Sequence, residues 1–192
     1  MLIDQLPPIT QDRFWDAPIK VVLATLLICL VAPIEIMPGT TVPVTLQSLV
    51  ILVAAMLLGA QKGLFSVLLY LLLGFAGLPV FAGGAHGISR LLGPGGGFLL
   101  AFPVAAWIVG RMATGTWGQK WWNVILTLLT GHVLILAIGF GWYGCTKGFD
   151  GIMEAILPLL PGLYIKTLIG AVMVIVANAL MMMVITSGKE DS

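Results

Sequence analysis

Six apolar stretches dominate this chain, at residues 18–36, 44–60, 63–80, 98–112, 121–143 and 159–185. All but the short fourth are close to the length a helix needs to cross the hydrocarbon core of a bilayer, about 20 residues. Backbone in lipid must satisfy its own N–H and C=O groups, which leaves helices or a closed barrel. Runs this long and this continuously apolar read as helices. Composition supports the choice: 59% of the residues are hydrophobic and 9% charged, against about 25% charged in a soluble domain. The expectation is an all-α integral membrane protein, a six-transmembrane-helix bundle forming a single membrane domain over residues 1–192. Lys147 to Pro158 is more polar and fits a short interfacial helix.

Charge placement orients the bundle. Six spans put both termini on one side, which collects Arg13, Lys20, Lys62, Arg111, Lys120 and Lys189; the other side holds Arg90, Lys147 and Lys166. Basic residues favour the cytoplasmic side, so both termini are expected there, in a multi-pass protein of a bacterial cytoplasmic (inner or plasma) membrane. Trp15, Trp117, Trp121 and Trp122 then fall at the inner interface and Trp142 and Tyr143 near the outer one, where amphipathic rings prefer to sit. The N-terminus has no basic segment leading directly into an apolar run, so no cleaved signal peptide is expected.

Several functions are disfavoured by what the chain lacks. A net charge of +1 without a basic stripe argues against nucleic acid. The two cysteines, Cys29 and Cys145, form no C-x-x-C pair and read as small apolar fillers. His86 and His132 stand alone, with no H-E-x-x-H or G-x-S-x-G around them. An enzyme or enzyme anchor would cluster His, Asp or Glu at one depth, and no such cluster is seen; no metal or cofactor is expected. Ser187-Gly188-Lys189-Glu190 lacks the pattern of a phosphate-binding loop, so ATP chemistry belongs to another subunit. Nor is there a filter motif for a channel.

What remains is recognition at the outer face. The long connections there, residues 33–43 and 79–97, are rich in Gly and Pro, and glycine lets backbone approach a ligand closely. Lys166 sits a few residues inside the last span, at an insertion cost of about 2.5 to 3.5 kcal/mol at a helix centre. It either snorkels to the outer interface or meets an anionic ligand group. Arg90 offers the same charge in the glycine-rich loop, or is simply solvated. Thr45, Gln47, Trp142 and Tyr143 supply polar handles and flat walls, the usual make-up of a small-molecule site. His132, inside the fifth span, suits a functional role or a hydrogen bond between helices. The four-residue spacings Ala55–Gly59–Gly63 and Ala101–Ala105 suit close helix packing, within the bundle or against a partner helix.

Four strings stand out in order along the chain. They are Val42-Pro43-Val44-Thr45-Leu46-Gln47-Ser48-Leu49; Leu69 to Gly74 with Gly77-Leu78-Pro79-Val80-Phe81-Ala82-Gly83-Gly84; Leu92-Gly93-Pro94-Gly95-Gly96-Gly97-Phe98 to Phe102; and Leu160-Pro161-Gly162 with Lys166. Together they resemble the BioY family, and the resemblance implies a biotin-binding S-component of an energy-coupling-factor (ECF) transporter. Such a chain is not an enzyme. It binds biotin near the outer face, under the loops joining spans one to two and three to four. A transmembrane coupling protein and two ATPase subunits power uptake, and the binding subunit rotates in the membrane to deliver its cargo. The chain alone, a homo-oligomer and the full complex are all compatible working forms. An S-component for thiamine or riboflavin is the alternative, with different outer-loop chemistry.

On this resemblance the ligand-binding set is Thr45, Gln47, Phe81, Gly83, Gly84, Arg90, Trp142, Tyr143 and Lys166. Gln47 and the Gly83-Gly84 backbone would meet the ureido or carboxylate group. Lys166, Arg90 or both would meet the charged end, and Phe81, Trp142 and Tyr143 would wall the ring. Three positions depart from the family pattern. Leu163 stands where many members have Asp after Pro-Gly, so a ureido contact from that position does not carry over. Gly95 replaces a frequent Thr. The A-x-x-x-A docking motif of the first helix is absent, since Val21 follows Ala17 and Ile28 follows Ala24 at that spacing.

Overall fold

The computed structural model describes residues 16–37, 44–114 and 120–190. The N-terminal segment with Arg13 and Trp15, residues 38–43 of the first outer loop, and Trp117 lie outside the described residues, as does the side chain of Lys189. Among the described residues, six helices of 12 residues or more carry the fold: α1 (Asp16–Val31), α2 (Gln47–Leu58), α3 (Ala60–Phe75), α5 (Gly96–Met112), α6 (Trp121–Lys147) and α8 (Leu159–Glu190). Two short helices, α4 (Ser89–Leu92) and α7 (Ile152–Ile156), sit in the connections before α5 and α8. The second of these falls in the polar stretch expected to hold an interfacial helix.

The apolar stretches locate the helices well and their ends less well. α1 stops at Val31, short of residue 36, because Pro33 ends it and the chain turns into strand β1 (Glu35–Met37). β1 pairs antiparallel with β2 (Val44–Thr45), Glu35 opposite Thr45. This two-stranded ribbon is an addition to the all-helical expectation. Apolar content does not distinguish a strand extension from the last helical turn. α6 runs on to Lys147, and Gly148 closes it with its N–H on the Gly144 carbonyl.

α2 is the axis of the bundle. Its residues Gln47 to Met56 are buried without interruption, and it touches α1, α3, α5, α6 and α8. With 12 residues it is too short to span a bilayer alone, and it is encased in protein instead. The reversal from α2 to α3 takes one residue, Gly59, at φ 80° and ψ 174°, a backbone region glycine adopts readily. The small-residue spacings are used inside the bundle. A Cβ on Gly63 would lie 2.7 Å from the Ala55 Cα, and one on Gly110 would meet Gly59 and Ala60 at 2.6 Å. Ala101 and Ala105 are wholly buried. Close backbone approach replaces the hydrophobic effect as the packing force where the solvent is lipid.

Polar contacts tie selected helices together. The Thr25 hydroxyl of α1 lies 2.8 Å from the Val21 carbonyl and 3.1 Å from the Ser66 carbonyl of α3, and the Ser66 hydroxyl donates to the Lys62 carbonyl at 2.8 Å. The outer faces are the reverse of a soluble protein's. Leu23, Leu26, Leu27 and Leu30 of α1 are exposed, as are Leu168, Val172 and Val176 of α8. By length and composition two helical segments, Trp121–Lys147 and Ile152–Met181, are long and apolar enough to cross a membrane. α2, α3 and α5 are shorter apolar helices.

Candidate ligand-binding site

A cavity of about 380 Å³ opens where the N-terminal parts of α2, α5 and α8 and the middle of α6 meet the two long connections. That lies within the range of small-molecule sites, about 300 to 1,000 Å³. Each wall comes from a different element. The ribbon contributes Glu35 and Thr45, and the first turn of α2 contributes Gln47 and Ser48. Phe81, Ala82, Ala85 and Arg90 come from the connection before α5, and Phe98, Leu99 and Phe102 descend one face of α5. His132, Ile135 and Leu136 line it from α6, and Leu159, Leu163 and Lys166 from α8. The α5 and α8 triplets follow the three- and four-residue spacing that keeps side chains on one helix face.

Of the nine residues expected from sequence, five line this cavity: Thr45, Gln47, Phe81, Arg90 and Lys166. Lys166 does not run to the surface. Its Nζ donates to the Ser48 hydroxyl at 3.0 Å, across α8 and α2. Arg90 is exposed, at the rim. Gln47 is held by a relay. The buried Tyr70 hydroxyl donates its one proton to the Val80 carbonyl at 3.1 Å, so it must accept from Gln47 Nε2 at 2.6 Å. That assignment turns the Gln47 carbonyl oxygen away from Tyr70 and leaves one amide hydrogen unspent. Phe81 is seated edge-on to Tyr70 and Phe75, with centroids 5.6 and 5.4 Å away, in a notch made by Gly74.

The other four stand outside the lining. The Gly83 N–H donates to the Pro33 carbonyl and the Gly84 N–H to the Phe81 carbonyl, so their backbone donors are spent inside the loop. At φ 63° Gly83 also makes room for Glu35, whose carboxylate would lie 2.8 Å from a Cβ at that position. Trp142 donates its indole N–H to the Gly93 carbonyl at 3.0 Å and packs against Gly97. Tyr143 stacks edge-on with Phe140, which does the same with Phe98. These two rings brace Phe98 and the α4–α5 connection from behind.

Sequence reasoning left out several wall residues. Ser48 belongs to the first family-like motif but has no expected role there, and Glu35 and His132 are outside the expected set. The aliphatic walls of α5, α6 and α8 carried no signal separating them from ordinary core. His132 is 3% exposed and its Nδ1 contacts both the Leu128 carbonyl at 3.0 Å and the Thr167 hydroxyl at 3.1 Å. It therefore joins α6 to α8 and lines the cavity as well. His86 is exposed and apart from the site. Among the described residues no group of three or more His, Cys, Asp or Glu is placed to hold a metal ion.

Comparison with known proteins supplies the lineage. The BioY family model matches residues 10–183. The chain belongs to the BioY family. Biotin transporter BioY2 of Lactococcus lactis subsp. cremoris is 42% identical over 127 residues, spanning 64% of this chain and 66% of that one. Biotin transporter BioY of Rhizobium etli is 30% identical over 175 residues, 79% of this chain and 89% of that one. The crystal structure of the S-component for biotin from an ECF-type ABC transporter superposes with a TM-score of 0.76 at 26% identity, covering 89% of this chain and 95% of that one. Both departures within this BioY chain's outer motifs fall on the cavity wall: Leu163 is buried there, and Gly95 lies at the wall with no hydroxyl to offer.

Proposed function

We propose that this chain is the biotin-capturing S-component of an ECF-type transporter. The observation that carries the reading is a cavity of vitamin size, aliphatic and aromatic on most walls, with Lys166 held inside it, in a BioY chain. Biotin has an apolar fused ring and chain with acceptor oxygens at both ends, the ureido carbonyl and the carboxylate. Lys166 within the cavity and Arg90 at its rim supply cations for these groups; Thr45, Gln47 and Phe81 complete the contact set. Among the described lining residues, two cations stand against one carboxylate, that of Glu35, an excess of positive charge that suits a monoanion. Thiamine, a cation, would be repelled.

In this reading six helices cross the cytoplasmic membrane, both termini face the cytoplasm, and the cavity faces outward. The exposed leucines of α1 and α8 support contact with lipid, and the shorter helices cross where neighbours and ribbon complete the span. Binding requires no covalent step, and the chain acts as a transport subunit. Energy for delivery comes from a coupling protein and ATPase subunits, in keeping with a chain that carries no phosphate-binding loop. The test is a titration of labelled biotin on the protein purified alone. Saturable tight binding is expected. Binding of thiamine or riboflavin in place of biotin would discard the assignment.

A further inference from the structure

One histidine of the cavity wall keeps a ring nitrogen that the described residues leave unused. His132 Nδ1 lies 3.0 Å from the Leu128 carbonyl, a group that only accepts, so Nδ1 carries the proton of the neutral ring. The Thr167 hydroxyl, 3.1 Å from Nδ1, donates its own proton to the Leu163 carbonyl at 2.8 Å, so it cannot donate to the imidazole. Nε2 is therefore the unprotonated nitrogen, and among the described residues this buried atom has no hydrogen-bond partner. Leaving a buried acceptor unsatisfied carries its full desolvation penalty, and native structures rarely keep one without a use. The ring is part of the cavity wall, in company with Lys166 and Leu163.

We propose that His132 is a specificity residue of this site, its Nε2 accepting a hydrogen bond from an N–H of the bound ligand. The inference rests on the biotin reading and deepens it. An unprotonated ring nitrogen repels a carboxylate oxygen, so the ligand end that meets His132 is the one bearing N–H groups, the ureido. Leu163 offers no polar group beside it. Nδ1 is held from both α6 and α8, which fixes the ring plane and the direction of the Nε2 lone pair. Selection then falls on a donor at one place in the ligand: a molecule of the same shape with that hydrogen replaced by methyl leaves Nε2 unsatisfied and adds a clash.

The test uses the full chain with ¹⁵N-labelled histidine. Biotin and its two ureido N-methyl isomers are titrated against wild type and His132→Phe, and the ¹⁵N resonances are followed with and without biotin. The protein has two histidines, so the pair is readily assigned with His86→Ala. Wild type is expected to prefer biotin over one N-methyl isomer by about tenfold or more, His132→Phe to lose most of that preference, and the Nε2 resonance to shift on biotin binding while Nδ1 stays protonated. Biotin binding with an unmoved Nε2 resonance, or with the preference intact in His132→Phe, overturns the inference and keeps the function. No biotin binding by folded wild type overturns both. Should His132→Phe fail to fold, the wild-type resonance decides.

Discussion

At the scale of single residues the cavity separates two kinds of cation. Lys166 is fixed on the Ser48 hydroxyl inside the protein, whereas Arg90 stands at the rim in contact with solvent. Lys166→Met is expected to weaken biotin binding by about 1.5 to 3 kcal/mol, the range for a hydrogen bond to a charged group. Arg90→Ala should cost less, and its effect should shrink as salt is raised, because exposed charges are screened over about 10 Å at 0.1 M. Titrations of both variants at two ionic strengths check this. Gly83 is a residue-scale constraint of another sort. Gly83→Ala forces a side chain into a left-handed backbone at a cost of about 1 to 2 kcal/mol and pushes Glu35 from its place. Lower thermal stability together with weaker binding is expected; normal stability and binding would show that the loop yields freely.

At the scale of elements the site depends on two clasps. The first is the Tyr70 relay, which fastens α3 to the start of α2 and to the loop carrying Phe81. Tyr70→Phe keeps the ring packing and removes the hydroxyl, leaving the Val80 carbonyl and Gln47 Nε2 without that partner. A buried polar group so orphaned costs about 1 to 3 kcal/mol, and biotin affinity should fall with stability because Gln47 turns. Unchanged affinity in Tyr70→Phe would remove Gln47 from the contact set. The second clasp is Thr25 with Ser66 between α1 and α3. Thr25→Val with Ser66→Ala should lower stability in detergent by about 0.6 to 1.7 kcal/mol, from the average to the largest value measured for hydrogen bonds between membrane helices. Biotin affinity should hold, since neither residue lines the cavity.

At the scale of the whole molecule the layout is a short buried helix surrounded by longer ones. α2 touches five neighbours, so the site it opens on is shared by elements far apart in sequence. Orientation is testable with the native cysteines. Cys145 is exposed near the end of α6 that faces the cavity side, and Cys29 is half-buried in α1. A membrane-impermeant maleimide applied to intact cells should label Cys145 and spare Cys29. Labelling of Cys145 only after permeabilisation would reverse the proposed orientation.

The helices were legible because their cause is local. A run of apolar residues this long and continuous satisfies its backbone in lipid as a helix, the one of the two solutions that needs no knowledge of neighbours. The place of Lys166, Gln47 and Thr45 on the cavity wall was legible because a cation or a polar residue in an apolar segment is conspicuous one residue at a time; Arg90 stood out as a cation in a glycine-rich loop, and Phe81 came from the family resemblance alone. The ribbon at Glu35 and Thr45 was not, since its pairing joins strands across a loop. Nor was the division between Phe98, which faces the cavity, and Trp142 and Tyr143, which stand behind it: all three are aromatic residues near one end of a helix, and only the α5–α6 packing orders them. The sequence by itself determined the class of fold, the kind of solvent around it and the chemistry available to a ligand. The tertiary structure alone decided which donors were already spent, as at Gly83 and Gly84, and which acceptor was left over, as at His132, because hydrogen-bond satisfaction is a property of assembled neighbours.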